Sequence, residues 1–92
     1  MYIFHWDEAK RQSNLSKHGF DFADAALLFD GTTFTREDVR FSYGERRFIT
    51  LGLLRTSVVV LVHTENRNTL RVISLRKATS RESQEYFHQI AN

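Results

Sequence analysis

The chain has 92 residues, 41% of them hydrophobic and 26% charged, with no cysteine, no proline and a formal net charge of +2. That length holds a single domain (1–92) around one core, and the composition is that of a soluble globular chain rather than a disordered one. The missing cysteine excludes disulfides, thiolate metal sites and a cysteine nucleophile and fits a cytoplasmic protein, while the longest apolar run, "VVVLV" at 58–62, is too short to cross a bilayer.

The opening "MYIFHW" runs at once into Asp7 and Glu8, unlike a signal peptide. Within it "YIFH" at 2–5 reads as a short strand. "WDEAKRQSNLSKHG" reads as a helix capped by Asp7 and ended by Gly19. In "FDFADAALLFDG", Phe22, Ala25, Ala26 and Phe29 fall at i, i+3, i+4 and i+7, the stripe of a second helix that Asp21 caps and Gly31 closes. The two helices are expected to pack as a hairpin across the short joint at Gly19. "TTFT" at 32–35 is β-prone, "REDVRFSYGE" at 36–45 reads as a polar loop, and "RRFITLGL" at 46–53 as a strand.

A turn through "LRTS" leads into "VVVLVHT", which is apolar on both faces and so marks a central strand. "ENRN" makes a second turn and "TLRVISLRK" a last strand. Thr79-x-x-Glu82 is a capping box for a C-terminal helix whose buried stripe is expected to be Tyr86, Phe87 and Ile90. The order β-α-α-β-β-β-β-α predicts an α+β domain on an antiparallel sheet.

Charge is unevenly distributed along this chain. From Asp21 to Asp38 five acids stand against Arg36 alone, a balance of −4, whereas from Asn66 to Arg81 the bases Arg67, Arg71, Arg76, Lys77 and Arg81 meet no acid, a balance of +5. Such asymmetry points to a polyanion-binding face, nucleic acid being the commonest polyanion. The competing reading is a solvated basic edge that keeps a strand from aggregating.

Metal chemistry needs oxygen or nitrogen ligands converging on one ion. Here Asp7 and Glu8 diverge on their helix, and His5, His18, His63 and His88 are scattered, so no metal site or cofactor is expected. Phosphate-loop and nucleophile-elbow patterns are absent too. Cations with a few proton-transfer groups suit RNA cleavage, in which the 2′-hydroxyl is the nucleophile and the protein supplies a base, an acid and positive charge around the phosphate. Arginine fits that role because its planar fork holds two phosphate oxygens and stays charged.

The candidates for proton transfer are His18, His63 and Glu65. Each has a plainer reading: His63 as a hydrogen-bonded residue at the core's edge, His18 as a partner of the helix dipole, Glu65 as part of a turn. Lys10 and Lys17, two turns apart on one helix face, could track phosphates or simply be solvated. Alternation along a regular strand sets Arg76 on one side and Arg71 with Lys77 on the other, so Arg71 and Arg76 are not expected to meet one phosphate.

"FHWDEAKRQSNLSKHGFDFADAALLF", "GERRFITLG", "VVVLVHTENR" and "RVISLRKATSRE" together span nearly the whole chain. The pattern of Trp6, Asp7, Lys10, Asn14, Lys17, His18 and Gly19, then Gly44-Glu45-x-Arg47, then "RVIS-x-RKA" resembles the BrnT toxins of bacterial type II toxin–antitoxin modules. The resemblance implies a RelE-like fold and a ribonuclease that arrests translation. It implies Arg76 and Lys77 at the RNA phosphate with Arg47 beside them. We take Arg47 and Arg76 as the transition-state stabilisers and Lys10, Lys17, Arg71 and Lys77 as RNA-binding residues. It also implies a BrnA antitoxin that sequesters the toxin, binds operator DNA through its own domain, and is expected to cover the basic junction from Arg71 to Arg81. Two other classes stay open, a non-catalytic nucleic-acid-binding module and a pure protein-interaction subunit. Against the first stands the lack of a helix-turn-helix or an aromatic-rich RNA-binding motif.

Overall fold

The computed structural model describes residues 2–40, 42 and 44–91. Its elements are β1 (Ile3–His5), α1 (Glu8–His18), a 3-10 turn (Phe22–Asp24) leading into a short α2 (Ala25–Leu28), β2 (Phe34–Asp38), β3 (Arg47–Leu54), β4 (Ser57–Asn66), β5 (Thr69–Lys77) and α3 (Ser80–Ile90). The chain is α+β, with a five-stranded sheet in the order β1-β5-β4-β3-β2. The meander β2 to β5 is antiparallel as expected, but β1 lies parallel to β5 with Phe4 opposite Leu70. The sheet is therefore mixed.

Local chemistry explains the helix ends. The Asp7 carboxylate accepts the Lys10 backbone N–H, and Gly19 turns left-handed at φ 77° while its N–H returns to the Leu15 carbonyl. Thr79 and Glu82 form the full reciprocal capping box of α3. The second helix is shorter than its apolar stripe suggested. Asp21 accepts the Ala23 N–H and tightens the start into a 3-10 turn, and the residues then buried are Phe22, Ala25 and Leu28, spaced by three. Ala26 stays exposed and Phe29 is only half buried. Along α3, Tyr86 is buried but Phe87 is 51% exposed, so the expected stripe is narrower by that residue.

The segment at 36–45 read as a polar loop begins as strand. β2 pairs with β3 from Phe34 opposite Leu51 to Asp38 opposite Arg47. A sheet edge tolerates such polar residues, because only one neighbour must be satisfied. Phe41 and Tyr43 of that expected loop lie outside the described residues.

The sheet separates two cores. On one face Phe22, Ala25 and Leu28 pack on Leu54, Val59, Leu61, Leu70, Val72 and Leu75. Gly52 makes this possible, since a Cβ there would stand 2.8 Å from Leu28 Cδ1. On the other face Tyr86 of α3 packs on Ile49, Leu51, Val58 and Val60, and its hydroxyl donates to the Thr32 carbonyl at 2.8 Å.

The short β1 leaves the edge of β5 beyond Arg71 without a strand partner. Asn14 of α1 takes that place: its Nδ2 donates to the Leu75 carbonyl at 2.8 Å and its Oδ1 accepts the Leu75 N–H at 3.2 Å, while Nδ2 also reaches the Phe20 carbonyl at 3.0 Å. One side chain thus imitates a ladder step and fixes α1 to the sheet. Asn14→Ala leaves both backbone groups of Leu75 buried and unpaired, so it should lower the unfolding free energy by about 1–3 kcal/mol. Urea denaturation followed by circular dichroism measures the loss, and a midpoint equal to wild type would remove Asn14 from the structural account.

Candidate active site

The β4–β5 ladder contains one irregularity that decides where the cations point. Val62 pairs with Ser74 but His63 pairs with Val72, so Ile73 is an extra residue in β5. A bulge of this kind reverses the alternation beyond it. Residues 74 and 76 and residue 71 consequently share one face, which is the face carrying α3: Arg76 stands opposite Val60, and Arg71 opposite Thr64. The expectation that Arg71 and Arg76 diverge is corrected by this bulge. On β3 and β2 the same face presents Arg47, opposite Asp38, and Arg36, opposite Ile49.

This cationic face is organised by carboxylates. Arg76 makes a two-pronged contact with Glu82, at 2.8 and 2.9 Å. That guanidinium holds the Glu82 carboxyl down to about 2, and Glu82 in turn raises the Arg76 pKa against the opposing effects of burial and the nearby Arg40 charge. Glu45 Oε1 lies 2.6 Å from Arg71 Nη2 and 3.9 Å from Arg47 Nε. Arg36 meets Glu85 of α3 at 3.7 Å, and Arg40 meets the buried Asp38 at 2.8 Å. Beyond α3 the sheet's end opens into a cleft of about 480 Å³ whose walls include His5, Glu45, Thr64, Glu65 and Arg71. Phosphate binding is what such a surface can do: several guanidinium groups are held in place and stay partly exposed.

Lys10, Lys17 and His18 lie elsewhere, in a groove of about 220 Å³ between α1 and β5 that Ile73 and Ser74 complete. Ser74 belongs to the arginine face, so the groove borders that face across the edge of β5. Lys77 stands opposite Val59 and so projects toward the other face, away from Arg76. Arg46 projects to that side too, over the Phe48 ring at 5.3 Å and paired with Glu37.

His63 is completely enclosed, on the face opposite the arginines. Its Nε2 is 2.7 Å from Thr50 Oγ1, which is itself 2.7 Å from Thr35 Oγ1. The Phe48 ring stacks on it and Phe29 meets it edge-on. Glu65 Oε2 stands 3.4 Å from His63 Nδ1, and the other Glu65 oxygen accepts the Tyr2 hydroxyl at 2.9 Å, which raises the Tyr2 pKa. Burial pushes His63 down to about 4 despite the pull of Glu65, so at neutral pH the imidazole is uncharged. Glu65 also lines the cleft beside Arg71. Sequence reasoning passed over His5 and Glu45 of that cleft. Their signals were the alternation of "YIFH" and the position of Glu45 just before the apolar strand.

Among the described residues, no three His, Asp or Glu side chains are grouped to hold a metal ion, and no helix is long and apolar enough to cross a membrane. The family model described as "Ribonuclease toxin, BrnT, of type II toxin-antitoxin system" matches residues 6–82, a span that takes in the cationic face from Arg36 to Arg76. No curated protein matches the chain.

The enclosed histidine has a measurable consequence. In the unfolded chain His63 takes up a proton near its ordinary pKa of about 6.5, whereas in the fold it does so only near 4. Between those values the unfolded state binds more protons, so its contribution to stability is present above about pH 6.5 and is lost as pH falls toward 4, by on the order of 3 kcal/mol. His63→Gln, whose amide can still meet Thr50, should flatten that part of the stability curve. Urea titrations of both proteins from pH 7 to pH 4 test it, and parallel curves would show that His63 does not titrate as its burial demands.

Proposed function

Because the chain belongs to the BrnT family of ribonuclease toxins of type II toxin–antitoxin systems, we propose that it is a metal-independent endoribonuclease of RelE-like fold. It cuts RNA in the cytoplasm and so arrests translation and growth. The family carries with it an antitoxin partner and an RNA target; the antitoxin we assign is BrnA-like and binds operator DNA through its own domain. One observation supports this reading above the others: Arg47, Arg71 and Arg76, with Arg36 and Arg40, gather on one sheet face, and its open end is a cleft.

RNA cleavage by the 2′-hydroxyl passes through a phosphorane with more negative charge on its equatorial oxygens than the starting diester. Fixed guanidinium groups aimed at those oxygens lower the barrier. Arg76 and Arg47 take that part, and Arg71 holds the phosphate in the cleft. Lys10 and Lys17, with His18 beside them, carry the flanking backbone along the α1–β5 groove, as a sequence-independent contact. Lys77 faces the other way and is assigned to RNA bound beyond the end of β5. His63, enclosed and uncharged, is assigned to the core rather than to proton transfer, and Glu65 to holding Tyr2. An antitoxin of acidic character that covers the arginine face would neutralise the toxin directly, because RNA and antitoxin then compete for the same charges.

Two outcomes are expected. The purified protein should cut RNA in the presence of EDTA, leaving a 2′,3′-cyclic phosphate or 3′-phosphate and a 5′-hydroxyl. Strict dependence on added magnesium, or 5′-phosphate ends read by labelling, would contradict this chemistry. Arg76→Ala should abolish growth arrest on induced expression, since loss of one transition-state donor costs about 3 kcal/mol, a hundredfold or more in rate. Arg55→Ala is the control. Arg55 lies in the β3–β4 turn at φ 57° and meets Asp24 at 3.6 Å, far from the arginine face, so that variant should remain toxic. Equal killing by both variants would make Arg76 a structural residue.

A further inference from the structure

Two titratable side chains beside Arg71 have no part in the ribonuclease chemistry described above, and both line the cleft: Glu45 and His5. Glu45 Oε1 touches Arg71 on β5 and approaches Arg47 on β3. Those strands flank β4, so a carboxylate that reaches both arginines hangs over β4. His5 comes from the other side. It ends β1, is exposed, and stands in register with Arg71 on the same face. Neighbouring strands lie about 4.8 Å apart, so a phosphate held by Arg71 has Glu45 on one flank and His5 on the other. Exposed ion pairs contribute little to stability, so the Glu45 contacts are of more use in positioning than in folding.

We propose that Glu45 is the general base and His5 the general acid of RNA cleavage on this face, an assignment that rests on the ribonuclease reading above. In-line displacement demands this layout, because the attacking and leaving oxygens lie on opposite sides of phosphorus. The Glu45 carboxylate takes the proton of the 2′-hydroxyl as the 2′-oxygen–phosphorus bond forms. The bond from phosphorus to the 5′-oxygen breaks, and the His5 imidazolium gives its proton to that oxygen. A 2′,3′-cyclic phosphate and a 5′-hydroxyl result, and exchange with water restores both side chains. The other histidines are less well placed to protonate the leaving oxygen, since His63 is enclosed, His18 is across the β5 edge, and His88 lies late on α3.

The test uses an RNA that the wild type cuts, made with either oxygen or sulfur at the bridging 5′ position of the scissile phosphate. Sulfur departs without needing a proton. Glu45→Gln should lower the cleavage rate by about a hundredfold or more on both RNAs, whereas His5→Gln should lose about as much on the oxygen RNA and stay within a few-fold of wild type on the sulfur RNA. Both variants should bind the uncleavable 2′-deoxy analogue as tightly as wild type. Equal losses for His5→Gln on the two RNAs, or a loss matched by weaker analogue binding, would overturn the acid role. A Glu45→Gln rate near wild type would overturn the base role. Cutting by all three proteins alike would sink this assignment and leave the ribonuclease reading standing, while a wild type that cuts no RNA would remove both.

Discussion

An extra residue in β5 decides which side of the sheet carries the charge. Without Ile73 as a bulge the strand would alternate regularly and place Arg71 and Arg76 on opposite faces. With it, residues before and after the bulge turn to the same side, and α3 then folds back over that side through Tyr86. The bulge sits where β5 has just lost β1 as a neighbour and where Asn14 takes up the backbone groups of Leu75 two residues on. An irregular strand needs some partner for its free edge, and here a side chain of α1 supplies it. The position of the cations and the docking of the first helix are therefore parts of one local arrangement.

Acids that hold arginines also limit what else those arginines can bind, since every carboxylate on the face competes with any other anion. The geometry limits that conflict. Glu82 binds Arg76 while its Oε1 also accepts the Thr79 N–H, so the acid that restrains the arginine is itself fixed by the start of α3. Its reach is short and its direction set, which leaves Arg76 about one third exposed. Pairs as exposed as Arg36–Glu85 and Arg71–Glu45 contribute little to folding. Their effect is to reduce the number of orientations an arginine would give up on meeting another anion.

Much of the fold was legible because it rests on short-range chemistry. Asp7, Gly19 and the Thr79–Glu82 box act within a few residues of themselves, and the run from Val58 to Val62 admits only a central strand. The misread places depend on distant contacts. Nothing in "RED" at 36–38 marks it as a strand until β3 lies beside it, and the apolar stripe from Phe22 to Phe29 fits a regular helix as well as the 3-10 turn that Asp21 imposes. The bulge at Ile73 carries no glycine or other mark, so the cations of the basic junction were identifiable while their common face was not. His63 illustrates a different limit. Its place at the end of an apolar strand fits either a core or a catalytic histidine, and only the rings of Phe29 and Phe48 with the Thr50 hydroxyl separate the two.

The two faces divide the work of a small domain. One is closed by the 3-10 turn and α2, and it can enclose even a histidine because Thr50 of the adjoining β3 meets its Nε2 and Glu65, two residues on in β4, stands beside its Nδ1. The other is closed only as far as α3 reaches. That helix is held by Tyr86 to Thr32, by Glu82 to Arg76 and by Glu85 to Arg36, so its position sets both how much apolar surface is covered and how much of the arginine face stays open. The exposure of Phe87, on the outer side of this helix beside Tyr86, follows from the same placement: a helix that lays one of two adjacent rings on the sheet turns the other outward, because successive helical side chains point about 100° apart.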